Sequence, residues 1–178
     1  MVIHQIKSLL LAYLSAFAHI LIAQSGSDNH GFLKNCDPGV IAHNEIDFIS
    51  DTQQPILEEL WRRIVFFIAV KNTDDHLRNH GFLLTPEGWT LSPAYDVNPV
   101  YFGTGLTLNI SETDNSLDWD LARSVAKYFR INDKQATEII TMTRTTVSQW
   151  PKIASKYKIK RAEQELMAQA FEYSFPKS

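Results

Sequence analysis

The chain has 178 residues, 44% hydrophobic and 21% charged, enough for one domain with a real core and too ordinary in composition for a disordered or low-complexity segment. A net charge of −3 excludes a global basic field of the kind that drives phosphate-backbone binding, which argues against nucleic acid as a direct partner. One cysteine, Cys36, excludes an internal disulfide and fits a reducing, cytoplasmic compartment.

In chain order, Leu9–Ala23 is an apolar run broken only by Ser15 and His19. It falls short of the roughly 20 residues that span a bilayer, so a buried helix is expected rather than a membrane anchor. A polar Gly- and Asn-containing loop follows over 24–39, and 43–50 reads as one or two helical turns. Pro55 then opens a strong helix, with Glu58 and Glu59 expected to complement the positive end of its dipole. Ile56, Leu60, Ile64, Phe67 and Ile68 recur at helical spacing. Trp61, Val65, Phe66 and Val70 leave few polar positions, as suits a central helix.

The helix runs into "NTDDHLRNH", a polar island between two apolar segments. Beyond it, two short apolar segments flank Thr85-Pro86-Glu87-Gly88, and Pro followed two residues later by Gly predicts a β-hairpin with Leu84 opposite Trp89. Residues 100–111 are expected to add another extended segment. From Ser116 the pattern is helical again. Leu117, Leu121, Val125 and Tyr128 or Phe129 share one face. Asn132 and Gln135 occupy capping-box positions ahead of Ile139, Thr143, Val147 and Trp150, and a last helix is predicted over about 153–171. The whole reads as mainly α with one small hairpin: residues 1–40 as an N-terminal helix and loop, 41–175 as the principal domain.

The hairpin register places Asn79 at its entry and Asp96 at its exit, neighbours in space though 17 residues apart, with Asp74 on the loop feeding the same strand. Two carboxylates and an amide oxygen without thiolates suit a hard cation such as Mg²⁺. The turn-forming tendency of Asn-Thr-Asp-Asp is the competing explanation for Asp74 and Asp75, and the better one for Asp75. His76 and His80 read as hydrogen-bonded loop residues rather than ligands.

"NTDDHLRN" followed by "LSPAYDVNP", with "LEELWRRIVF" before and "HGFLL" between, resembles the HipA-type serine/threonine kinases, the toxin half of bacterial HipA/HipB toxin–antitoxin pairs. The similarity covers about 45–171 and is dense over 57–99. It implies a protein-kinase-like C-terminal lobe with the N-lobe absent. Asp74 would be the catalytic-loop aspartate, Asn79 and Asp96 the magnesium ligands, and His76 and Arg78 supporting residues. ATP would be the co-substrate, a protein hydroxyl the acceptor, and a small HipB-like DNA-binding antitoxin the partner.

Two positions depart from the family pattern: Phe67 stands where Asn is usual, and Lys71 where a small residue is usual. No Gly-rich phosphate loop, no lysine of the nucleotide-clamping lobe and no other cofactor-binding residue is identified. The resemblance thus implies a catalytic lobe inactive alone and completed by a separate N-lobe protein. The alternative is a non-catalytic remnant or regulatory module that docks a kinase or antitoxin partner. A metal-dependent phosphohydrolase would need a further carboxylate or His cluster that the sequence does not offer.

Overall fold

The computed structural model describes residues 54–86 and 88–175. The Leu9–Ala23 segment, the turns expected at 43–50, Cys36 and the boundary near residue 40 lie outside the described residues. Among the described residues, no helix is long and apolar enough to cross a membrane.

Helix α1 (Gln54–Val70) is the axis of the fold. Its second half is buried on every side, Trp61 and Val65 through Val70 included. Around it pack α2 (Trp119–Val125), α3 (Asp133–Val147) and the C-terminal 3₁₀ segment Ala168–Ser174. The Trp61 indole illustrates the packing: it is fully buried, and its Nε1–H donates to the Ala122 carbonyl of α2 at 2.9 Å. Glu58 and Glu59 do not serve the helix dipole. The helix begins at Gln54, so both fall past the first turn and pair instead with Arg62 (2.6 Å) and Arg63 (3.0 Å). Burial pushes the Glu59 carboxyl up, against the pull of the Arg63 guanidinium. Arg63, itself buried, also donates to the Ser92 carbonyl and so fastens the hairpin to α1.

Strands β1 (Phe82–Thr85) and β2 (Gly88–Leu91) pair antiparallel with Leu84 opposite Trp89, the register that the turn chemistry predicts. The ladder is prolonged by the Ser92 N–H donating to the Gly81 carbonyl at 2.8 Å. Residues 100–111 form no further strand. They make an irregular excursion closed by the single bridge Gly105↔Ser116, because the Asn115 side chain takes up the Leu106 carbonyl (2.6 Å) that a partner strand would otherwise pair.

Asp118 caps α2 through its side chain, and Phe129 rather than Tyr128 turns into the core. The capping box of α3 forms in full, Asn132 Oδ1 accepting from Gln135 N and Gln135 Oε1 from Asn132 N, both at 3.0 Å. Replacing Asn132 with alanine is expected to cost about 1 kcal/mol, read as a lower denaturant midpoint at unchanged slope. The predicted single helix over 153–171 is instead three pieces: α4 (Trp150–Lys156), α5 (Arg161–Met167) and the 3₁₀ segment Ala168–Ser174. The break is physical. Lys158 takes a left-handed φ of 56°, while Ile159 N bonds Ala154 O and Lys158 N bonds Ser155 O, a Schellman ending. The Trp150 and Phe171 rings still stack, 4.7 Å apart, across the break.

Candidate functional site

The polar island begins with the same kind of helix ending. Lys71 holds φ 53°, Asn72 N bonds Phe67 O (2.9 Å) and Lys71 N bonds Ile68 O (3.2 Å). This is the position where a helix favours glycine, which gives a backbone reason for a small residue there. The lysine does not place a cation beside the island's carboxylates. Its ammonium runs to Glu172 (3.2 Å) and over the Tyr173 ring, toward the C-terminal segment.

Released from α1, the chain is fixed at several points. Asn72 is 1% exposed, and its Oδ1 accepts the Asn98 N–H at 3.1 Å. Thr73 is held through its carbonyl by Thr107 Oγ1 (2.8 Å) and lies under Gly103, whose φ of 99° strains any L side chain and where an added Cβ would sit a tight 3.0 Å from Thr73 Oγ1. Asp75 is buried with its Oδ1 2.9 Å from His80 Nε2, so these two side chains tie the ends of the short loop together. His80 Nδ1 is buried without a partner, and the Phe67 ring meets the imidazole edge-on. Between the tied ends, Leu77–Asn79 makes one 3₁₀ turn.

Asn79 and Asp96 meet as the register predicts: Asn79 Nδ2 donates to Asp96 Oδ2 at 3.2 Å. Asn79 is buried and Asp96 exposed, so the pair forms a wall with one open side. The Tyr95 hydroxyl adds a second clasp between hairpin entry and exit, donating to the Arg78 carbonyl. Arg78 supports the site through this backbone oxygen, its own side chain being exposed. Asp74 is not drawn into the pair. Its side chain is 63% exposed, and its Oδ1 lies 2.6 Å from His76 Nε2. The third oxygen donor expected in the cage thus faces its neighbouring imidazole, on the open side of the loop.

Asp96 has one further peculiarity. Of the four non-glycine residues with positive φ among the described residues, Lys71, Arg130 and Lys158 each follow a helical segment, where such a conformation closes the helix. Asp96 (φ 55°) follows none. Aspartate is one of the few L-residues that visits this conformation outside a helix end, because its short side chain can be bonded locally. The residues that hold it are Asn79 and Asn98. Asn98 Nδ2 donates to Asp96 Oδ1 at 2.8 Å and reaches the Asp96 carbonyl at 3.3 Å. Asn72 has no mark in the sequence; the one signal for Asn98 is its place two positions after Asp96, where an Asx side chain can close a local turn.

Among the described residues, no three His, Cys, Asp or Glu side chains group as a metal centre. The Asn79–Asp96 pair is therefore one carboxylate and one amide. That donor set suits Mg²⁺, which takes few protein oxygens and completes its shell with water and phosphate.

The mainly helical domain, with its hairpin-borne Asn–Asp pair beside an aspartate loop, has a match among known protein families. The model of the HipA-like C-terminal domain matches residues 41–150, more than half of the chain, and the chain belongs to that family. No curated protein matches it.

Proposed function

We propose that this chain is the catalytic-lobe portion of a HipA-like protein serine/threonine kinase, acting in a toxin–antitoxin setting in the cytoplasm. The observation that carries the reading is Asp96, kept left-handed with its carboxylate turned to Asn79 across the hairpin mouth. Asn79 and Asp96 would hold Mg²⁺, which when bound neutralises the charge of the transferring phosphate. Asp74, exposed on the adjoining loop, accepts the proton of an incoming protein hydroxyl, and His76 sets its orientation. Tyr95 and the Asp75–His80 pair keep loop and hairpin in register.

Phosphoryl transfer depends on holding ATP in line as well as on metal and base. This sequence contains no Gly-rich loop with an accompanying lysine to do so. The purified 178-residue chain is expected to release no phosphate from ATP above the level of its Asp74→Ala variant. Robust turnover that Asp74→Ala abolishes would overturn that part of the proposal. In this reading the nucleotide cradle is supplied from outside these 178 residues, and a HipB-like antitoxin restrains the assembly.

One observation favours a second reading, a non-catalytic module that docks a kinase or antitoxin partner: Asp74 bonds His76 instead of facing the Asn79–Asp96 pair. Partner binding that needs no magnesium and survives Asp96→Asn would favour it.

A further inference from the structure

We infer that Asn98, seated by Asn72, is a positioning residue that sets the Asp96 carboxylate for cation binding. The inference rests on reading Asn79 and Asp96 as a cation pair. The contacts form a relay. Buried Asn72 at the start of the polar loop accepts the Asn98 backbone N–H (3.1 Å), which fixes Asn98 against the end of α1. From there the Asn98 amide reaches back two residues to Asp96, donating to Oδ1 (2.8 Å) and to the backbone carbonyl (3.3 Å). One side chain thus grips both ends of the left-handed residue, its peptide and its carboxylate.

The consequence is directional. With Oδ1 occupied by Asn98, the carboxylate cannot rotate freely, and Oδ2 is held on the Asn79 side. Asn72 joins the segment carrying Asp96 to the loop carrying Asp74 and Asn79, so the relay also fixes the distance between the two halves of the site. Outer partners of ligating carboxylates characteristically govern metal affinity by about 10–100-fold when removed. Asn98 fills that place here, being bonded to Asp96 while Asn79 stands on the opposite oxygen.

The test uses the full chain and Mn²⁺ as the probe, free ion being counted by its electron paramagnetic resonance. Asn98→Ala is expected to weaken Mn²⁺ binding about tenfold or more. Asn98→Ser, which keeps a short donor in the same turn, should restore much of the affinity, and Asn72→Ala should weaken it as Asn98→Ala does. Circular dichroism of the two Asn98 variants should keep the parent spectrum, Asn98 being only half-buried. Parent-like affinity in Asn98→Ala, alongside binding lost in Asp96→Ala, would overturn the positioning role and leave the cation pair standing. No saturable Mn²⁺ binding by the parent chain would remove both.

Discussion

Trp61→Ala is expected to destabilise the domain by about 3–5 kcal/mol, enough to lower the thermal midpoint by on the order of 10 °C. The indole is wholly buried at the middle of α1, where neighbours from several elements close around it and cannot follow a shrinking side chain inward. Truncation opens a cavity and also strips the Ala122 carbonyl of its donor, leaving a buried acceptor in α2 without its bond. Trp89 provides the control. It is the same residue type on the hairpin, 46% exposed, and Trp89→Ala should change stability by no more than about 0.5 kcal/mol. Guanidinium titrations of the two variants, followed by far-ultraviolet circular dichroism, separate these outcomes. Equal losses would mean that α1 is not the axis around which the domain is built.

The other large effect concerns the division of labour between the two aspartates. Asp96→Asn should reduce Mn²⁺ affinity at least tenfold, because it removes the one carboxylate of the pair and replaces a charge-assisted ligand with a neutral amide. Asp74→Asn should change that affinity by less than about twofold, since Asp74 contacts His76 and not the pair, and charges exposed to solvent couple weakly. The opposite ranking would make Asp74 the ligand and leave Asp96 as a turn residue. Equal losses would restore a cage of three donors, with the Asp74–His76 bond giving way when a cation arrives.

How far the sequence could be read depended on how local the determining chemistry was. The hairpin register follows from Pro86 and Gly88, because a two-residue loop fixes every pair behind it, and the approach of Asn79 to Asp96 then follows by counting. The α3 capping box was equally readable, resting on two residues three apart. What escaped was set by backbone state or by distance along the chain. Lys71 and Lys158 end their helices in a conformation that glycine usually advertises, so neither ending has a compositional mark, and the break between α4 and α5 went unseen. Asn72 and Asn98 are 26 positions apart and look like ordinary loop residues until the fold sets one against the other. Asp74 shows the limit of proximity along the chain. Five residues from Asn79, it has a nearer partner in His76, a contact between close neighbours that spacing to Asn79 does not reveal.

The family assignment and the site geometry bear on different links of the argument. The match to the HipA-like C-terminal domain family covers residues 41–150, which hold helix α1 and the polar island at its end. Function has to be argued from the side chains themselves. Here the weight falls on Asp96, a left-handed residue at an exposed hairpin exit whose two carboxylate oxygens are held separately by Asn79 and Asn98.

The most direct test is a Mn²⁺ titration of the ¹⁵N-labelled chain, following which amide signals the paramagnetic ion broadens first. A cation seated between Asn79 and Asp96 must quench the side-chain NH₂ signals of Asn79 and Asn98 before any other, at substoichiometric metal, and must spare the acidic stretch around Asp114, Asp118 and Asp120. Broadening that starts on that stretch, or spreads evenly over the surface carboxylates, would contradict a hard-cation site at the hairpin mouth.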